Sequence, residues 1–188
     1  MPSRCNNGKP SMIKVRKNFW FWGGIIPALV VAIDQISKYW AIRKFAVPHN
    51  ICAINPHPNL GIEISPVFDL ALVCNQGISF GLFNSNPELA RIIFTAIAAI
   101  MCVLLLVWLN REKGKLISLS IGLIIGGAIG NGIDRFLNGA VTDFLNFSDI
   151  YFIWVFNIAD SAITCGVIGL LLHMFFIEGK HKKTEKST

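Results

Sequence analysis

Charge is scarce in this chain. Charged residues make up 15% of its 188 residues and hydrophobic residues 53%, whereas a soluble domain usually carries about 25% charged residues. The sequence therefore indicates a membrane protein with a single domain, residues 1–188. The net charge of +6 comes from basic residues that cluster in short segments between apolar runs. Because they form no continuous stripe, we expect no nucleic acid partner.

Metal ligands and histidine bases are also few. The sequence contains 4 histidines, all in predicted loops, tails or inner helix ends, which disfavours a Ser–His or Cys–His nucleophile. Its 5 cysteines show no CxxC spacing and no accompanying His pattern, so we predict no metal site and no cofactor. We interpret all of them as small apolar packing residues: Cys5, Cys52, Cys74, Cys102 and Cys165.

Long apolar runs are what the sequence has instead. A helix needs about 20 mostly apolar residues to cross a bilayer. We predict a mainly α integral membrane protein with four transmembrane helices, at residues 19–40, 89–109, 116–133 and 152–177. The first run follows a basic stretch but has no small-x-small cleavage site, so we interpret it as a retained helix rather than a signal peptide.

Lysine and arginine determine the predicted orientation. They concentrate before the first span, in the link between the second and third spans, and after the fourth. With four spans these segments share one side, and the positive-inside rule makes that side cytoplasmic. We therefore predict a basic cytoplasmic tail at 1–18, a four-helix core at 19–177 and a polar cytoplasmic tail at 178–188.

A long outer segment, residues 47–86, connects the first two spans. Its first part is rich in Pro and Asn, as loops are. Residues 62–83 contain alternating and β-branched stretches, such as 72–74 and 78–80. We predict a few short strands there, which would form a small extracytoplasmic β element.

Asp34 and Lys38 lie in the first predicted span, where a charge costs about 2.5–3.5 kcal/mol. Their i, i+4 spacing allows them to pair on one helix face. The pair is either a self-neutralised structural pair or a support for a nearby polar site, and the sequence leaves both interpretations open.

Asp160 has no basic residue in its own span to neutralise it. We place it about 12 Å into the fourth predicted span, with Asn157 three residues earlier on the same face. It is either a buried carboxylate bonded to a hydroxyl or backbone group, or part of a site completed by other segments. Asp143 lies in the outer segment between the third and fourth spans, close to the polar end of the third span, Asn131, Asp134 and Arg135.

Gly122, Gly126 and Gly130 recur every four residues in the third span. Such a row allows two helices to approach closely. We predict a packing role and not a phosphate loop, because no strand precedes these glycines.

Polar side chains from several segments are thus predicted to gather at the outer membrane face. Without a histidine base, carboxylate chemistry remains. Two carboxylates a few ångströms apart cannot both ionise easily and share one proton. The ionised group can accept a proton from water while the neutral one protonates the carbonyl oxygen, which is amide hydrolysis without a metal.

Five motifs then occur in a characteristic order: DQISK (34–38), NQGISFG (75–81), GNGIDR (130–135), VTDF (141–144) and FNIAD (156–160). Together they resemble the bacterial lipoprotein signal peptidase (signal peptidase II) family, over residues 20–177. Two departures are visible. Thr142 stands where the family usually has a second valine before the aspartate, and both the N-terminal tail and the Pro/Asn-rich stretch of residues 47–60 look longer than is typical.

The resemblance implies an aspartyl endopeptidase of the bacterial inner membrane and a target of globomycin. It would cleave lipid-modified prolipoproteins just before the diacylglyceryl-modified cysteine, in contact with membrane phospholipid, and we expect a monomer. Asp143 and Asp160 match the catalytic pair. The positions that match substrate-binding or supporting residues are Asp34, Lys38, Asn75, Gly77, Asn131, Asp134, Arg135 and Asn157.

Two other functions fit parts of the sequence. A proton-coupled carrier would use intramembrane carboxylates, but here the polar residues gather at one face and leave the inner half apolar. A non-catalytic scaffold would use the glycine row and would leave Asp143 and Asp160 unexplained.

Overall fold

A computed structural model describes residues 18–55, 57–58, 60–77, 87–148 and 152–178. The predicted tails at 1–17 and 179–188 and the predicted strand at 78–80 lie outside these residues. The elements in chain order are α1 (Ile26–Lys44, after a π-helical turn Phe21–Ile25), α2 (Ile51–Ile54), β1 (Leu60–Ser65), β2 (Phe68–Asn75), α3 (Pro87–Arg111), α4 (Lys115–Asn138), β3 (Val141–Phe147), β4 (Phe152–Phe156) and α5 (Ile158–Leu172, continued by a π-helical segment His173–Glu178).

Among the described residues, four helices are long and apolar enough to cross a membrane, which confirms the predicted number of spans. They cover Phe21–Lys44, Glu88–Arg111, Lys115–Asn138 and Ile158–Phe175. The predicted start of the fourth span at residue 152 is wrong, because Phe152–Phe156 is strand β4. The apolar run continues through both strand and helix, so hydropathy alone does not separate them.

The small β element is a four-stranded antiparallel sheet in the order β1-β2-β3-β4. Strands β1 and β2 connect α1 to α3, and β3 and β4 connect α4 to α5. All four strands therefore lie at one end of the helices, which we call the sheet end. In the predicted Pro/Asn-rich loop, residues 51–54 form the short helix α2 instead of a loop.

Helix α4 is the centre of the bundle and packs against α1, α3 and α5. Glycines make these contacts close. A Cβ on Gly126 would lie 2.6 Å from Val30 of α1, and one on Gly127 would lie 2.4 Å from the carbonyl oxygen of Ala159 of α5. The other two glycines of the predicted row are equally close to their neighbours, since a Cβ on Gly122 would lie 2.5 Å from the Trp22 carbonyl oxygen and one on Gly130 would lie 2.7 Å from Asp34 Oδ2. The packing role predicted for the row is therefore confirmed.

Cys52 and Cys74 form a disulfide with a Cα–Cα distance of 5.4 Å. The interpretation of all cysteines as small apolar packing residues is therefore wrong for this pair. Its members are separated by 22 positions, so a search for short CxxC spacing misses them. The bond joins α2 to β2 at the sheet end, whereas Cys102 and Cys165 are free.

Candidate active site

Asp143 lies in the middle of a buried stretch of β3. The four residues Val141 to Phe144 are all buried, and Asp143 is only 1% exposed. Its carboxylate accepts a hydrogen bond of 2.6 Å from the Asn157 side-chain amide. It accepts another of 3.0 Å from the side-chain amide of Asn75 at the end of β2. The sheet thus carries an aspartate into the protein interior and satisfies it with neutral amides.

Asp160 lies in the first turn of α5, and not deep within a span as the sequence position predicted. It forms a capping box with Asn157: the Asp160 N–H donates to the Asn157 side chain at 3.0 Å, and the Asn157 N–H donates to Asp160 Oδ2 at 3.3 Å. The difference follows from the strand β4, which occupies the first residues of the apolar run. A carboxylate at a helix N-terminus is favoured by the helix dipole.

Two asparagines connect the carboxylates. Asn157 is fully buried, and its side-chain nitrogen lies within hydrogen-bonding distance of both Asp143 and Asn131, at 2.6 and 3.1 Å. Asn131 of α4 in turn donates to Asp160 Oδ1 at 2.7 Å. The side chains predicted to act as a pair, Asp143 and Asp160, therefore belong to one hydrogen-bonded network.

The environment of Asp143 favours its neutral form. The pKa of Asp143 is raised from 3.8 to about 7, first by burial and then by the negative charge of Asp160. Hydrogen bonds from Asn75 and Asn157 and the charge of Lys38 oppose the increase. A carboxyl group that keeps its proton near neutral pH can donate a hydrogen bond.

Lys38 is the buried cation of this region, 3% exposed. Its ammonium group contacts Asp34 at 2.8 Å and Asp134 at 2.9 Å. It also donates to the side-chain oxygen of Asn131 at 3.1 Å. The two interpretations of the Asp34–Lys38 pair are therefore compatible, since the ion pair also contacts the network around Asp160.

Both partners of Lys38 hold elements in position. Asp34 accepts a hydrogen bond of 2.9 Å from the backbone N–H of Ala159, in the first turn of α5. Asp134 accepts one of 3.1 Å from the N–H of Thr142, the residue before Asp143. Through these two carboxylates, α1 and α4 are thus hydrogen-bonded to the backbone N–H groups of the residues that directly precede Asp160 and Asp143.

Arg135 provides the second cation. Its guanidinium interacts electrostatically with Asp160, Asp143 and Asp134 and lies 5.7 Å from the ring centroid of Phe94. Its buried Nε has no hydrogen-bond partner among the described residues. Arg135 therefore combines a positive charge that acts on both carboxylates with an N–H donor that has no partner in the described part of the chain.

Gly77 does not contact the carboxylate pair. It has a positive φ of 78°, and its N–H donates to the side-chain oxygen of Asn75 at 2.8 Å. A Cβ at this position would lie 2.9 Å from the Phe94 ring. Gly77 contributes indirectly, by shaping the turn that orients Asn75.

A family model described as signal peptidase (SPase) II matches residues 26–176. The chain belongs to the signal peptidase II family. A lipoprotein signal peptidase of Nitrobacter hamburgensis is 42% identical over 158 residues, which cover 81% of this chain and 91% of that protein. One of Beijerinckia indica is 40% identical over 157 residues, 83% of this chain and 89% of that protein.

The fold is also similar to a solved structure. A bacterial membrane enzyme determined by the in meso method at 1.9 Å resolution superposes with a TM-score of 0.66 and 28% sequence identity. The match covers 88% of this chain and 98% of that one. Because the chain belongs to a peptidase family, we no longer consider the carrier and scaffold interpretations.

One participant in this signal peptidase II site was not singled out from the sequence. Gln35 donates to Asp134 at 3.0 Å and to the carbonyl oxygen of Gly130 at 3.3 Å, so it joins α1 to α4 beside Lys38. The sequence signal that could have identified Gln35 is a polar amide within an apolar span.

Among the described residues, no group of three or more His, Cys, Asp and Glu is arranged to hold a metal ion. Catalysis without a metal stays a prediction.

Proposed function

We propose that this protein removes signal peptides from prolipoproteins by hydrolysing the peptide bond before a diacylglyceryl-modified cysteine. The named relatives are lipoprotein signal peptidases. The single observation that carries the mechanism is the network in which Asn157 bonds both Asp143 and Asp160. In this proposal the protein is an aspartyl endopeptidase and needs no metal.

The two carboxylates take different roles in the proposed reaction. Asp143, whose pKa is raised to about 7, carries the shared proton. We assign the role of the base to Asp160, which lies in the first turn of α5 and interacts electrostatically with Arg135. Because their environments differ, one group serves as the acid and the other as the base.

The proposed reaction proceeds in two steps. Asp160 accepts a proton from water as the water oxygen attacks the carbonyl carbon, and Asp143 donates its proton to the carbonyl oxygen. When the C–N bond breaks, the amine takes the proton from Asp160 and the hydroxyl proton returns to Asp143. General acid–base assistance of this kind contributes about 10²–10⁴ in rate.

Arg135 is proposed to hold the substrate backbone. A guanidinium presents a planar fork of donors suited to carbonyl and carboxylate oxygens, and the Arg135 Nε is buried without a hydrogen-bond partner in the described part of the chain. A peptide carbonyl at this position would satisfy that donor.

We further propose a bacterial cytoplasmic membrane location with the sheet end outside. The link between α3 and α4, at the opposite end, carries Arg111, Lys113 and Lys115, and basic links lie preferentially on the cytoplasmic side. Both termini would then be cytoplasmic and the carboxylate pair near the outer face. Since every residue of the network comes from one chain, we expect the monomer to be active.

The decisive experiment measures cleavage of a diacylglyceryl-modified peptide by the purified protein in detergent, alongside thermal unfolding. Asp143→Asn and Asp160→Asn should each lower turnover by at least about 10²-fold. The double mutant should be little worse than either, because residues acting as a unit are not additive. Asp69→Asn, on β2, is the matched control.

The same experiment separates chemistry from folding. Replacing a carboxylate by an isosteric amide should leave the unfolding temperature near that of the parent protein. Near-normal turnover in either single mutant would remove that residue from the mechanism. Equal cleavage of a peptide without the diacylglyceryl group would contradict the proposed substrate class.

A further inference from the structure

Helices α3 and α4 separate towards the sheet end and leave an open groove between them. At their other ends they pack closely, with Leu105 and Leu109 of α3 against Ile117, Ile121 and Ile125 of α4. The groove consists of two adjoining cavities of about 530 Å³ each, and both are lined by Thr95, Ala99 and Phe136. This volume is that of a small-molecule site.

The groove continues into a polar mouth at the sheet end. A third cavity of about 240 Å³ shares Glu88 and Arg91 with one apolar cavity and Leu137 with the other. Gln76 and Asn138 also line this mouth. The lining thus changes from charged to apolar along the groove, in the order in which a phospholipid changes from head group to acyl chain.

Arg91 is held at the rim of the groove. Its guanidinium donates a hydrogen bond to the carbonyl oxygen of Phe136 and lies 6.0 Å from the ring centroid of that residue. A guanidinium has five N–H donors, so most remain available for a phosphate, which arginine binds strongly. Glu88 lies one turn earlier on α3 and offers a negative charge for an ammonium group.

Thr95 adds a third polar contact. Its hydroxyl is buried and has no hydrogen-bond partner among the described residues, although a helical threonine commonly bonds the carbonyl of the preceding turn. Thr95 follows Arg91 by four residues, about 6 Å along the helix. The hydroxyl therefore lies inward of the guanidinium, as the ester carbonyls of a glycerophospholipid lie inward of its phosphate.

We propose that this groove binds one zwitterionic glycerophospholipid of the surrounding bilayer. Its phosphate contacts Arg91, its ammonium group contacts Glu88, an ester carbonyl accepts from Thr95, and an acyl chain follows the apolar cavities. The site is separate from the proposed cleavage reaction and does not depend on it.

The diacylglyceryl group of a substrate is a different occupant, and two observations disfavour it. That group is uncharged and would offer no charged contact to Glu88 or Arg91. In addition, Phe136 and Ile129, which line the groove, lie on the side of α4 away from Gly127, which contacts α5 near the carboxylate pair.

Gly132 offers a way to fill the groove without disturbing the helix. It lines the groove, and a Cβ there would meet nothing within 4 Å. Gly132→Leu should therefore occupy the space of the acyl chain and favour the helical conformation. Ala32→Leu, at an exposed position of α1, adds the same kind of apolar bulk elsewhere on the membrane-facing surface.

The test is native mass spectrometry of the delipidated full-length protein titrated with phosphatidylethanolamine, phosphatidylglycerol or diacylglycerol. We expect one saturable phosphatidylethanolamine. Gly132→Leu and Arg91→Gln should each weaken its binding at least about tenfold, and Ala32→Leu should not. Glu88→Gln should weaken binding of phosphatidylethanolamine but not of phosphatidylglycerol.

Three results would overturn the proposal. Equal phospholipid retention by Gly132→Leu and Ala32→Leu would mean ordinary boundary lipid. Diacylglycerol binding as tightly as phospholipid would exclude recognition of the head group. A higher KM for the lipid-modified peptide in Gly132→Leu, with phospholipid retention unchanged, would assign the groove to the substrate. If Gly132→Leu fails to insert, Arg91→Gln and Glu88→Gln decide, and none of the lipid-binding results requires cleavage activity.

Discussion

Asn157 donates a hydrogen bond of 2.6 Å to Asp143 while its oxygen accepts the N–H of Asp160 at 3.0 Å. One side chain therefore both caps α5 and orients an aspartate on the neighbouring strand. These two roles can be separated by mutation, because the cap needs only a side-chain oxygen and the contact with Asp143 needs the full length of the amide.

Asn157→Ser should keep the cap and lose the contact with Asp143, since serine is a good N-cap residue. Asn157→Ala should lose both and be less stable than the serine variant by about 1 kcal/mol. We expect both variants to lower turnover at least about tenfold, because each removes the Asn157 donor and leaves Asp143 with only the hydrogen bond from Asn75 among the described residues. Thermal unfolding and cleavage assays on the same preparations check this, and normal turnover in the serine variant would contradict the positioning role.

The pH dependence of activity should reflect Asp143. Its pKa is raised to about 7, so the proposed acid loses its proton, and activity should fall, as pH rises through that value. Raising the pKa in the folded state also means that the Asp143 contribution to stability is fully present below about pH 4 and is lost as pH rises to about 7.

Unfolding temperatures of the parent protein and Asp143→Asn between about pH 4 and 8 test the second statement. The asparagine variant cannot titrate at this position and should show a smaller decrease in stability over that interval. Identical slopes for the two proteins would show that Asp143 does not titrate there.

Arg135→Lys should impair cleavage more than expected for a substitution that keeps the positive charge. Lysine lacks the planar fork of donors that arginine has. It also lacks the Nε–H donor, which in Arg135 is buried and has no partner among the described residues. We expect kcat/KM to fall at least about tenfold, the loss of one charge-assisted hydrogen bond. Arg111→Lys, at the exposed end of α3, is the control, and an Arg135→Lys enzyme as active as this control would argue against a fork-like contact.

Lys38→Met should destabilise the protein strongly. It leaves Asp34 and Asp134 buried without their cation, and removing one partner of a buried pair costs about 3–5 kcal/mol. Lys44→Met, at an exposed position of the same helix, should have little effect. Adding Asp34→Asn to Lys38→Met should recover part of the loss, and a double mutant less stable than Lys38→Met alone would contradict this explanation.

The orientation of the chain can be measured with reporters. A fluorescent protein fused after residue 188 should fluoresce in the cytoplasm, whereas a periplasm-specific reporter inserted at the β1–β2 turn, near Val67, should be active. The positive-inside rule gives this expectation. Activity of the periplasmic reporter at the C-terminus would reverse the proposed topology.

Much of the site followed from the sequence because charge in an apolar span is costly. Asp34 and Lys38 stood out for that reason, and the structure places both in the buried network around Asn131. Asp160 also stood out, but its depth was wrong because strand β4 and helix α5 share one apolar run. The Asn157-x-x-Asp160 spacing, a helix-start pattern, was the local signal that marks the boundary.

Contacts between residues that are far apart in the sequence could not be predicted in the same way. The Cys52–Cys74 disulfide depends on how α2 lies against β2, which no local pattern states. The contacts of Gln35 with α4 likewise depend on the rotation of α1 about its axis. Such features arise from packing between elements, and single-sequence periodicity describes each element only by itself.

The glycines of α4 restrict which substitutions the protein can tolerate along this helix. A Cβ on Gly130 would lie 2.7 Å from Asp34 Oδ2, and one on Gly127 would lie 2.4 Å from the Ala159 carbonyl oxygen. Adding a single methyl group at either position would push α1 or α5 away, and with α5 the aspartate at its start. The absence of a side chain at Gly127 therefore lets α5, which carries Asp160, lie close to α4. Alanine at this position would shift Asp160 relative to Asp143 without replacing any polar side chain.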